Sequence, residues 1–531
     1  MRRLFLMLSA GAALIAAACG GGSTVVPPPP PTGNFSNSSL KGQYTFSMAG
    51  EDLNGGSIAR VGSFIADGAG KISSALEDVN DEGAAVQTVS FNGGNYSVDA
   101  NGHGTLTFLQ GTTIGLQFSI VLSSTSQGQL IQTDLNATSS GNFTLASATA
   151  PATFSLSEIN GNYVFDVAGI RTVQAVPLTD VGLSILGQLK TNGSSVSGGL
   201  LDVNDGVSGP SGAVPILSGT SYQLDPSNGN GTNFGRGTIS FVAGTRTFNF
   251  IFYIVDAARF KLLEVDQGLL TSGDAILQGT VPTQSSGFNG SFVTLVGGSD
   301  SNGPLAEVGR FTADGSQNLN NVSFDVNEAG TLSNTITNPT SPVYQIDTVN
   351  AGSGRGTMSF STTVLNLGQI NFVFYVISPT QGLIQDTSAS VVADGSFEAQ
   401  TGAPFTASSV AGNYAVGWSG VNLGSTNNVV FEHDFLGQYV LPLPSGQQHN
   451  GAIDIVELGS TGKSFIPQDP VTLTLNISGD GTGSNPQYDF LTANAPTANL
   501  KFKAYFVSQQ KVYLLGNQPS TVDLGFATQQ H

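Results

Sequence analysis

Residues 115–122 read GLQFSIVL. In an extended chain Leu116, Phe118, Ile120 and Leu122 fall on one side, with Gln117 and Ser119 on the other. That period of two belongs to a β-strand with one apolar face. The same pattern returns as TFNFIFYIV at 247–255, QINFVFYVI at 369–377 and NLKFKAYFV at 499–507. No stretch of helical length carries a 3.6-residue apolar stripe. Composition agrees: 69 of 531 residues are glycine and only 10% are charged, so helix-favouring Lys, Arg and Glu are scarce.

Working outward from these strands, the chain repeats itself. Each copy opens on a related strand: LKGQYTF at Leu40, INGNYVF at Ile159, FNGSFVT at Phe288 and VAGNYAV at Val410. The shared glycines, Gly42, Gly161, Gly290 and Gly412, lie 119, 129 and 122 residues apart. Three copies continue with an Asp-Gly or Asn-Gly turn, at Asp67, Asn192 and Asp314. They then carry DVN at Asp78, Asp202 and Asp325, and GHGT or GRGT at Gly102, Gly235 and Gly354. The fourth keeps only Asp454, in DIVE, and has GDGT at Gly479.

Turn signals every 8–15 residues divide each copy into about eight strands joined by short hairpins. The expected fold is all-β: four tandem antiparallel meanders, each closing into a small barrel, with a two-sheet sandwich as the alternative. The units are expected at residues 40–150, 151–281, 282–402 and a divergent 403–531, each large enough for its own core.

Ahead of them, residues 1–18 read as an export signal: basic Arg2 and Arg3, an apolar run, then small residues before Cys19. Residues 19–39 form a Gly- and Pro-rich tether. Pro27 to Pro31 enforce an extended segment, and residues 20–38 would span roughly 60 Å at ~3.1 Å each. Losing Arg2 and Arg3 takes the formal charge from −19 to −21. So acidic a chain excludes nucleic acid as a partner and fits a soluble, self-repelling, monomeric body.

Ala16-Ala17-Ala18-Cys19 resembles the lipobox of bacterial lipoproteins. That resemblance implies cleavage before Cys19 and acylation of its thiol and amine, which anchor the protein to membrane lipid. Cys19 is the only cysteine, so the mature chain holds no internal disulfide. The leader, tether and GxYxF, ADGxG, DVN and GRGT units together resemble repeat lipoproteins of bacterial envelopes. This implies an extracytoplasmic address, expected at the outer membrane, and brings no activity with it.

Candidate sites are few. DVNDEG places Asp78, Asn80 and Glu82 at calcium-loop spacing, but the twelfth position is Val89, where a bidentate carboxylate is needed. DVN is therefore expected to be turn chemistry, with side chains bonding local backbone, and no metal is expected. The central residues of GHGT and GRGT, His103, Arg236 and Arg355, read as solvated turn side chains. Trp418 and Tyr414 are weak candidates for stacking on a sugar. Glu432 and Asp434 would share one strand face with His433 on the other, and the expectation is an exposed surface. No cofactor and no catalytic residue is expected. The reading is a structural or binding module whose partner is an envelope glycan or protein. The alternatives are a carrier of small apolar ligands in the barrels and a hydrolase with its site in unit four.

The lipobox yields a test. Cys19→Ser should move the protein from the membrane to the soluble fraction and abolish labelling by a fatty-acid probe; unchanged labelling would remove the anchor from this reading.

Overall fold

Alternating side chains and tight turns give strands along nearly the whole described chain. The computed structural model describes residues 33–531 apart from 83, 174–178, 226–233, 334, 338, 424–428, 444, 460–461, 480, 482–487 and 493–499. The leader, Cys19 and residues 20–32 of the tether lie outside the described residues. Within them the only helical elements are four short 3-10 turns.

The strands form four antiparallel meander barrels, at residues 41–147, 160–277, 289–399 and 412–529. In each, the first strand pairs with the last: Phe46 opposite Phe143, Asp166 opposite Asp274, Thr294 opposite Phe397, Trp418 opposite Gly525. The other seam differs from barrel to barrel. In barrel one the strand Lys71–Asp81 pairs with both Gln87–Phe91 and Gly93–Val98. Ile216 meets Ala243 in barrel two, and an isolated bridge joins Asn318 to Val343 in barrel three. Barrel four closes through eight consecutive strands. The walls are barrels and not two-sheet sandwiches.

Side chains fill the interiors. Leu116, Phe118, Ile120 and Leu122 all enter the core of barrel one. There Phe64 lies 5.3 Å from Tyr44, 5.7 Å from Phe108 and 5.9 Å from Phe143, ring centre to ring centre. In barrel three Phe397 meets Phe288, Phe292 and Phe374 edge-on. These are the spacings of packed aromatic cores. Where first and last strands meet, a glycine permits the approach: a Cβ on Gly273 would fall 1.8 Å from the Asp166 carbonyl oxygen.

Part of each outer face is buried too, because each barrel rests on the next. Val61, Leu76 and Ile65 of barrel one pack on Ile251, Tyr253 and Leu263 of barrel two. Val164 and Leu186 meet Val373 and Tyr375 of barrel three. Val293 and Val308 meet Tyr505 and Val522 of barrel four. Val456 and Leu436 of barrel four then return to Val121 and Ile131 of barrel one. The four barrels close a ring. The chain end completes it: Gln530 Nε2 donates to the carbonyls of Asn101 and Leu122, and the His531 N–H to that of Ser123.

Candidate functional site

DVN lies within strands, Lys71–Asp81, Val196–Asp205 and Leu319–Glu328, and not in turns. Asp and Asn, two apart, therefore share a face. That face is the outer one, against the next barrel. Asp78, fully buried, accepts from Arg236 Nε at 2.7 Å and Nη2 at 2.9 Å, from the Tyr253 hydroxyl at 2.7 Å and from Thr88 Oγ1 at 2.6 Å. Asn80 Nδ2 donates to the carbonyls of Glu264 and Leu269, both at 2.9 Å. Glu82 accepts the Ser57 N–H at 3.0 Å in its own barrel. The three residues at calcium-loop spacing are thus taken by an arginine and a tyrosine, by two carbonyls, and by a local amide.

The second junction repeats the first. Asp202 accepts from Arg355 Nε at 2.8 Å and Nη2 at 2.7 Å and from Tyr375 at 2.8 Å, while Asn204 donates to the carbonyls of Asp386 and Val391, both at 2.7 Å. At the third, Asp325 accepts from Lys503 Nζ at 2.6 Å and from the Tyr505 hydroxyl at 2.7 Å, and Asn327 donates to the carbonyls of Gly516 and Thr521. The fourth changes every donor. Asp454 takes His103 Nε2 at 2.7 Å, Ser119 Oγ and the Gln468 N–H. Val456 stands where the others have asparagine, and Lys463 Nζ supplies the missing bonds, to the carbonyls of Gln132, Asp134 and Ala137.

GHGT and GRGT therefore do not present solvated side chains: His103, Arg236 and Arg355 each clasp the aspartate of a neighbouring barrel. Burial alone would lower the Arg236 pKa, but the bonds and charge of Asp78 outweigh it and the pKa rises; Arg355 behaves alike beside Asp202. Burial, and then the adjacent carboxylate, push the phenols of Tyr253 and Tyr375 far up, so both remain donors. Burial works to raise Asp454, yet the bonds from His103 and Ser119 hold it below the ordinary carboxylate range. Burial brings the Lys463 ammonium down to about 8.

The remaining candidates are also interior. Trp418 stacks on Phe435 at 4.7 Å and meets Phe502 edge-on at 4.9 Å, and Tyr414 stacks on Tyr439 at 5.2 Å. Both are buried in the core of barrel four. Glu432, His433 and Asp434 are buried, not exposed. His433 bonds Asp523 and lies edge-on to Phe435. Asp434 is on the opposite face, where barrel one packs. Among the described residues, no three His, Cys, Asp or Glu side chains come together as a metal site.

Two measurements follow. Asp202→Ala takes the bidentate partner from Arg355, leaving it only the longer pair to Asp347 at 3.3 Å, and strands the Tyr375 hydroxyl. This should destabilise the fold by about 3 kcal/mol, the lower end for a broken buried pair, whereas a combined Asp202→Leu, Arg355→Met variant should recover most of that loss. Denaturant unfolding of the three proteins checks it; an Asp202→Ala cost near 1 kcal/mol would return DVN to local turn chemistry. The second concerns pH. Burial raises Asp386 and Asp394 to about 6 and Glu328 and Asp434 to about 7. Each is harder to ionise folded than unfolded, so its contribution is whole below about pH 4 and is lost as pH rises through its folded pKa. The melting temperature should fall from pH 5 to pH 8. A steady rise over that interval would contradict the assignment.

No protein-family model and no curated protein matches the sequence. Among solved structures, transferrin binding protein B from Haemophilus parasuis aligns over 99% of both chains at 9% identity with a TM-score of 0.19. Intact Ap-TbpB, with its N and C lobes, aligns at 9% identity over 99% of both chains with a TM-score of 0.18. CghA aligns at 11% identity over 99% of this chain and 98% of its own, with a TM-score of 0.14.

Proposed function

We propose that this chain is a lipid-anchored extracytoplasmic protein of the bacterial envelope, acting as a rigid, non-enzymatic binding or structural module. One observation carries the reading: the chemically distinctive residues that recur from repeat to repeat, Asp, Asn and Arg, are used in holding barrel to barrel. The repeat's shared chemistry serves architecture. Residues 33–39 do not belong to the tether: Phe35 packs on the core of barrel one and Asn37 accepts the Val98 N–H. Residues 20–32, fully extended at ~3.1 Å each, would still reach roughly 40 Å, which suits a body held away from the membrane to meet a glycan or protein. Barrel interiors packed with rings count against a carrier that stores ligands inside them. In unit four, His433 is paired with Asp523 but both are buried, and Asp434 lies on the opposite face of the strand, which counts against an acid–base site that a substrate could reach.

The test uses the full chain, immobilised and exposed to native envelope extract, with a panel of chromogenic esters and glycosides assayed alongside. Retention of a defined envelope protein or glycan, with no turnover, supports the proposal. Turnover that survives further purification, or retention of nothing, overturns it.

A further inference from the structure

Four barrels in a ring leave a space on its axis. The cavity there is about 490 Å³ and is lined by all four barrels, mainly through their first and last strands. Its walls differ in character. Barrel four contributes Leu436, Leu524 and Phe526, whereas barrels two and three contribute Asp166, Asp274 and Asp394.

The acidic wall is unfavourable as it stands. Asp166 and Asp274 are direct partners across the pairing that closes barrel two. Like charges opposite one another on neighbouring strands destabilise a sheet. Lys261 answers one of them: its Nζ lies 3.1 Å from Asp274 and also donates to Asn142 and Ser47 of barrel one. Asp166 Oδ1 and Asp394 Oδ2 are buried without a hydrogen-bond partner among the described residues. Burial, and then the charges of Asp394 and Asp274, raise Asp166 well above the carboxylate range. Three carboxyl groups share one ammonium, and a proton held by Asp166 stands in for the missing positive charge. The described residues gather no metal-ligand set there, so the deficit suits a larger cation. Buried groups kept against stability are a mark of a functional site.

We propose that the axial cavity binds an organic ammonium with a compact apolar body, the ammonium against Asp166 and Asp394 and the body against Leu436, Leu524 and Phe526. The volume is that of ordinary small-molecule sites. Binding draws Asp166 into its ionised form, so a proton is released. The inference stands apart from the membrane anchor and the envelope partner, and the failure of either leaves it intact.

Calorimetric titration of the purified full chain at pH 7 with phenethylammonium chloride, 2-phenylethanol and 3-phenylpropionate tests it. The ammonium should bind at least about tenfold more tightly than the alcohol, the propionate should not bind, and the heat should vary with buffer ionisation as a proton leaves. Asp166→Asn and Asp394→Asn should each weaken ammonium binding by at least about tenfold, while the melting temperature at pH 7 holds or rises as repulsion is relieved. No ammonium binding at millimolar concentration, equal binding of the alcohol, or undiminished binding in both variants overturns the proposal. Should one variant fail to fold, the other and the three-probe series still decide.

Discussion

A carboxylate removed from water must find positive charge and hydrogen-bond donors, and that requirement fixes how the four barrels sit. Asp78, Asp202, Asp325 and Asp454 each leave solvent on the outer wall of one barrel and are met by the next. The apolar contacts around them supply most of the driving force for docking, since burial is roughly proportional to area and indifferent to direction. The bidentate Arg–Asp pairs and the two-carbonyl grip of the asparagines are directional. Rotate or slide a barrel and each leaves a charge or an amide buried without a partner. The polar clasps set the register in which the apolar faces meet.

Much of the fold was legible because it depends on local order. The period of two in GLQFSIVL, the paired glycines of the turns and the spacing of the opening strands are properties of a few adjacent residues. The role of DVN was not legible in that way. Asp78 finds Arg236 in another repeat, and nothing near either residue announces the other. Read alone, an aspartate and an asparagine two apart suit a turn as well as a strand, and an arginine between glycines suits solvent. A signal did exist in comparing the copies. An acid repeats at one position and a base at another, and where the base is missing, in unit four, Lys503 appears on the late strand beside the tyrosine that units two, three and four share. Complementary charges recurring in tandem copies point to contacts between copies.

The axial cavity was harder still to see. Asp166, Asp274 and Asp394 sit in strands that otherwise read as ordinary walls, and only barrel closure and the ring bring them to one place. Asp78, Asp202, Asp325 and Asp454 find cations and donors at the junctions, whereas Asp166 and Asp394 at the axis each keep one oxygen unmet among the described residues.

The fourth junction has a consequence for polymerisation. Head-to-tail interfaces between like bodies form a closed ring when the rotation per step returns to the start, and an open filament when it does not. Here the rotation closes at four, and barrel four lands on barrel one of the same chain, where the tether begins. Covalent linkage keeps that partner at high local concentration, so a second molecule competes poorly for the joint. With every donor face and every acceptor face used, a finished ring offers no sticky end. A chain one repeat shorter would keep one face of each kind exposed, the condition under which head-to-tail bodies grow end to end.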